Sequence, residues 1–71
     1  MDKLLLTPEE AAEVLGIGRT KVYSLIADGE LLSVRIGKSR RVPRDALDEY
    51  IARLEDEARL ALHPLTRLVA R

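Results

Sequence analysis

An α+β fold, mainly helical, is predicted by three features of this 71-residue chain. Two short helical patterns meet at a glycine turn, a basic hairpin with a Gly37-Lys38 tip follows, and a longer helical pattern comes last. In that order they build α-turn-α, a two-stranded β-hairpin and a C-terminal helix, a small winged helix-turn-helix. The core has to be aliphatic, because the chain has no Phe, no Trp and only two Tyr.

The first helix has a readable start. Thr7-Pro8-Glu9-Glu10 is a capping box: Thr7 accepts from the first turn, Glu10 reaches back, and Pro8 occupies a position that needs no donor. Leu6 is placed to staple onto Ala11. Ala11, Ala12 and Leu15 make one apolar face, with Val14 beside it. Gly16 supplies a left-handed cap, and Ile17 is expected to plug the turn from inside.

The second helix opens after Gly18. At about 100° per residue, Val22, Leu25 and Ile26 fall on one arc that must face the core. Thr20, Ser24 and Ala27 lie opposite, flanked by Lys21 and Tyr23, while Arg19 lies nearer the buried arc in the first turn. Small residues at the centre of an exposed face let a helix axis approach a groove, and longer flanking side chains reach phosphates. The helix N-terminus adds amide donors for an anion. An ordinary amphipathic helix with a solvated polar face would carry the same pattern.

The hairpin tips the balance. Leu32, Val34 and Ile36 alternate with Ser33 and Arg35, the period of a half-buried strand. Gly37-Lys38 suits a tight turn with glycine at its first central position. Ser39, Arg40, Arg41 and Val42 return, with the two arginines on opposite faces. Basic groups at Arg35, Lys38, Arg40 and Arg41 surround a turn that solubility alone does not require, and arginine in a narrow groove reads its shape and potential.

The charge distribution agrees. Net charge is zero, yet residues 17–45 carry seven basic and three acidic groups, against one basic and four acidic over residues 1–16. Phosphate attraction acts within a Debye length of ~10 Å, so a local excess operates while the total cancels. The acidic flanks predict modest affinity for one site, with several copies acting together.

Leu5-Leu6-Thr7-Pro8-Glu9-Glu10-Ala11-Ala12, Leu15-Gly16-Ile17, Thr20-Lys21-Val22-Tyr23, Gly29-Glu30-Leu31, Arg35-Ile36-Gly37 and Arg41-Val42-Pro43 succeed one another in this chain. The series resembles the excisionase-type DNA-binding domain, a MerR-like winged helix-turn-helix of phage recombination directionality factors and small bacterial regulators. The likeness covers about residues 4–54. It implies a recognition helix at about residues 19–28 in the major groove and a wing at 35–41 on the backbone or in the minor groove. By position it assigns DNA contacts to Arg19, Thr20, Lys21 and Tyr23 and to Lys38, Ser39, Arg40 and Arg41; the exposed faces add Ser24 and Arg35. It also implies repeated sites, DNA bending, a phage integrase partner and cooperative self-association on DNA. Two positions depart from the pattern: Gly18 stands where serine is frequent, and Arg40 where an aromatic is frequent.

After the wing, Pro43-Arg44-Asp45 starts a third helix. Leu47, Ile51, Leu54, Ala58, Ala61, Leu65 and Leu68 follow at spacings of 4, 3, 4, 3, 4 and 3, a heptad seam. Pro64 disfavours helix at His63. The reading divides the chain into a winged domain over 1–54 and a helical extension over 55–71. Leu65, Leu68 and Val69 would be the apolar group offered to a protein partner, unless the tail frays or folds back on its own domain.

Catalysis is not expected. His63 adjoins Pro64 and there is no cysteine, so neither a metal site nor a cofactor is indicated. No nucleophile sits in a glycine-rich elbow, and no loop has phosphate-binding spacing. The longest apolar run, Leu4-Leu5-Leu6, is too short for a signal peptide or a membrane span, and a cytoplasmic, nucleoid-associated chain is expected. The partner expected is double-stranded DNA. A small MerR-like transcriptional regulator and a protein-interaction module acting through the tail are the alternatives.

Overall fold

The computed structural model describes residues 3–62. In chain order the elements are β1 (Leu5–Leu6), α1 (Pro8–Leu15), α2 (Arg19–Ala27), β2 (Val34–Ile36), β3 (Ser39–Pro43) and α3 (Arg44–Leu62). The architecture is the small winged helix-turn-helix expected, with one addition. Leu5 and Leu6 form a short third strand, so the antiparallel sheet has the order β1-β3-β2. Leu6 lies opposite Val42 and packs against the core, and the Arg44 amide donates to Leu4 O at 3.0 Å. That pairing ties the start of the chain to the junction of β3 and α3.

The helix-turn-helix is built as its residues dictate. The Thr7 hydroxyl accepts from the Glu10 amide at 3.0 Å, and Glu10 Oε1 accepts from the Thr7 amide at 2.9 Å. Both halves of the capping box are therefore made. Gly16 ends α1 at φ +71°, a left-handed position that glycine occupies without a Cβ penalty. Ala11 and Ala12 are buried, and their small side chains let α1 and α2 approach closely around Val22 and Leu25.

The core joins all three helices to the sheet through Ala11, Ala12, Val22, Leu25, Leu31, Val42, Ala46 and Leu47, with Leu6, Leu15, Ile26 and Tyr50 packed against it. Leu31, fully buried, is the side chain that closes the core beneath the loop after α2. Two apolar expectations fail. Ile17 does not plug the turn; it is exposed beside Val14. The hairpin alternation runs in the opposite phase. Register pairs Val34 with Arg41, Arg35 with Arg40, and Ile36 with Ser39. Opposed residues share a face and neighbours alternate, so Arg40 shares the face of buried Val42, while Val34 and Ile36 take the outer face. Leu32 lies outside the strand and is 62% exposed; on the outer face Val34 and Arg41 are half-buried, and Ile36, nearer the tip, is 58% exposed.

α3 buries Ala46 and Leu47 at its start and runs on to Leu62. From Ile51 onward every described residue is exposed, so the seam leaves the core after Leu47. His63, Pro64, Leu65, Leu68 and Val69 lie outside the described residues.

Candidate nucleic-acid interface

α2 presents the expected polar arc. Val22 and Leu25 are buried and Ile26 is half-buried, so Arg19, Thr20, Lys21, Tyr23, Ser24 and Ala27 are left exposed. Gly18 caps the helix without a side-chain bond, so no side chain satisfies the amides of its first turn. Among the described residues, none of Arg19, Lys21, Arg35 and Lys38 has a carboxylate partner. Their charges therefore stand uncompensated at contact distance.

The wing is aimed by its register. Arg35 and Arg40 lie directly opposite each other on the face that continues from Val42, the face of β3 against which α1 and α3 pack. Like charges opposed across a strand pair are destabilising unless an anion comes between them. Arg40 bends toward the base of the wing, where its Nη1 donates to Ser33 Oγ at 3.0 Å. It borders an open depression of about 660 Å³ together with Tyr23 and Ala27 of α2, so helix and wing meet there. Glu30 and Glu49 also border it, and the depression is of mixed charge.

Arg41 points the other way. It is half-buried opposite Val34, and its Nη1 donates to the carbonyl of Arg40 at 2.9 Å. Lys38 and Ser39 are exposed at the tip, where Gly37 adopts φ +62° as the first central turn residue. Lys21 lies on the flank of α2 away from Tyr23 and borders a second depression with Ile17, Ile51 and Leu54.

Two site features were not legible in the residues. Tyr23 Oη donates to Glu9 Oε2 at 3.1 Å, and this hydrogen bond above all, with partial desolvation, holds the phenol above its ordinary pKa of 10.0. Arg53, on α3, lies 5.6 Å from the centre of the Tyr50 ring and donates Nη2 to Glu30 O at 2.5 Å. A side chain that targets a backbone carbonyl leaves no sequence pattern, and Glu9 reads as a helix-start carboxylate until α1 and α2 are brought together.

The model of the helix-turn-helix domain family matches residues 5–55. The chain belongs to that family. As a helix-turn-helix domain, it is similar to a "Probable excisionase" of Saccharopolyspora erythraea, 62% identical over 53 residues that make up 75% of this chain and 54% of the relative. It is 47% identical to an "Excisionase" of Streptomyces ambofaciens over 47 residues, 66% of this chain and 76% of that protein. A third relative, named "Putative antitoxin VapB50" in Mycobacterium tuberculosis, is 41% identical over 64 residues, 90% of this chain and 49% of its own length. The helix-turn-helix chain thus spans about half the length of the first and third of these relatives. No solved structure matches it. No helix among the described residues is long and apolar enough to cross a membrane.

Proposed function

We propose that this helix-turn-helix chain binds double-stranded DNA and serves as an excisionase-type accessory factor in site-specific recombination. α2 enters the major groove with Arg19, Thr20, Lys21, Tyr23 and Ser24, and the wing contacts the backbone with Arg35, Lys38, Ser39 and Arg40, with Arg41 at its outer edge. The observation that carries the reading is the opposed pair Arg35 and Arg40, of which Arg40 borders one depression with Tyr23 and Ala27 of α2. A phosphate between them relieves a repulsion that the free hairpin sustains.

The excisionase role rests on similarity to the two relatives with that name. On this reading the chain binds repeated sites at attachment DNA, bends the duplex and helps a phage integrase assemble the excisive complex. Affinity for a single site is weak and neighbouring copies supply the rest. A gel-shift titration against the attachment site adjoining the gene, paired with an excision assay containing the cognate integrase, tests it. The expected result is a ladder of successively slower bands and a dependence of excision on this chain. A single band confined to the promoter, with excision unaffected, contradicts it.

A second reading has one observation in its favour. The similarity to the relative named as an antitoxin extends over 90% of this chain, beyond the span matched to either excisionase. It supports a DNA-binding domain over 1–54 with a segment over 55–71 that holds a partner protein through Leu65, Leu68 and Val69. A copy lacking residues 55–71 separates the readings, because it keeps DNA and loses the partner.

A further inference from the structure

If α2 lies in the major groove as proposed above, the hydrogen bond between Tyr23 and Glu9 bears on which bases the chain selects. Tyr23 Oη donates to Glu9 Oε2 at 3.1 Å, joining the middle of α2 to the first turn of α1. The neighbouring carboxylate cannot substitute. Glu10 is held by the Thr7 amide at 2.9 Å and by Lys3 Nζ at 2.6 Å, so Glu9 alone in that turn is directed at α2. Both partners are exposed, and Tyr23 stands at the edge of the polar arc nearest Arg40.

A phenol carries one proton and two lone pairs, and an ionised carboxylate carries lone pairs only. With the phenol proton committed to Glu9, every open position on the pair is an acceptor. We infer that Glu9 and Tyr23 act together as a hydrogen-bond acceptor that selects a base exocyclic amine, cytosine N4 or adenine N6, in the major groove. Those two bases present an amino donor there, whereas guanine and thymine present acceptors at the matching positions. A phosphate oxygen has no proton to give and is repelled by Glu9. The work is therefore divided: Arg40, across the depression from Tyr23, suits the backbone, and Tyr23 with Glu9 behind it suits a base edge. The raised phenol pKa keeps the proton in place across ordinary assay conditions.

Selection from randomised duplexes by the wild-type chain, Tyr23→Phe and Glu9→Ala tests this. Both side chains are exposed and lie outside the core, so the variants keep the fold. The wild type is expected to prefer A or C over G or T about tenfold at one position. Tyr23→Phe brings that position within about twofold while the others keep their preferences. Glu9→Ala releases the phenol proton, and G or T becomes acceptable there. Deleting the amino group of the selected base costs the wild type about tenfold and Tyr23→Phe nothing. Unchanged preferences in Tyr23→Phe overturn the inference and leave DNA binding intact, as does a Glu9→Ala chain that binds every sequence more tightly by one common factor. A wild-type chain that selects no sequence overturns this inference and the DNA-binding reading together.

Discussion

Arg53 and Glu30, 23 positions apart, are joined by a hydrogen bond from the guanidinium Nη2 to the backbone carbonyl at 2.5 Å. Glu30 belongs to the loop that leaves α2, and Leu31 beside it is fully buried in the core. The bond thus fastens α3 to the loop that sets how the wing stands relative to α2. Arg53→Ala removes it along with the stacking on Tyr50, and the expected cost is about 1 kcal/mol, since the group is exposed. Urea unfolding measures that cost. DNA affinity should fall without a change in salt slope, because Arg53 orients the wing and is not proposed to touch phosphate.

Glu10 gives a pH signature. Lys3 foremost, and then the Thr7 amide, hold its carboxyl down at about 2 from an ordinary 4.5. The folded-state value lies below the unfolded one, so the contribution to stability is complete above about 4.5 and is lost as pH falls toward 2. Glu10→Gln should unfold at lower denaturant than wild type at pH 7, with the gap closing between pH 4.5 and 2. A gap that stays constant through that window would remove the capping carboxylate as its cause.

Two glycines beside the turn should respond in opposite directions. Gly16 sits at φ +71°, and Gly16→Ala should cost about 1–2 kcal/mol in strain. Gly18 has extended backbone and open space where a Cβ would stand, so Gly18→Ser should add a few tenths of a kcal/mol by capping α2. Paired thermal melts by circular dichroism read both effects.

Removal of residues 55–71 should leave the winged domain folded. Leu47 is the last residue of α3 within the core cluster, and the exposed helix beyond Leu54 contributes little burial. The melting temperature is expected to fall by only a few degrees, corresponding to about 1 kcal/mol. Binding to a single DNA site should persist, and any band ladder that depends on the segment should be lost.

These expectations show where the sequence was legible. Thr7, Pro8, Glu10 and Gly16 act within one turn of chain, and their pattern is local, so α1 and its ends could be read directly. The buried arc of α2 follows from helical period alone. The hairpin could be located from Gly37 but not phased, because alternation gives two faces without saying which meets the core. Val42 on β3 settled that, placing Arg35 and Arg40 on its own face and Ile36 on the other. β1 leaves no mark in the sequence because two leucines make no periodic signal; the pairing comes from β3. Arg53 and Glu9 act through tertiary contacts with partners far along the chain, which no spacing encodes.

The most direct test of the proposed interface is the salt dependence of affinity for one duplex site, by fluorescence anisotropy, for the wild type and for Arg35→Ala with Arg40→Ala. If both arginines meet phosphate, the slope of log K against log salt becomes shallower by about 1.8 for the double variant. Affinity at low salt should drop by at least about tenfold, with the melting temperature unchanged or raised as the opposed charges go. A double variant that binds as tightly as wild type, with the same slope, would contradict the placement of DNA between α2 and the wing.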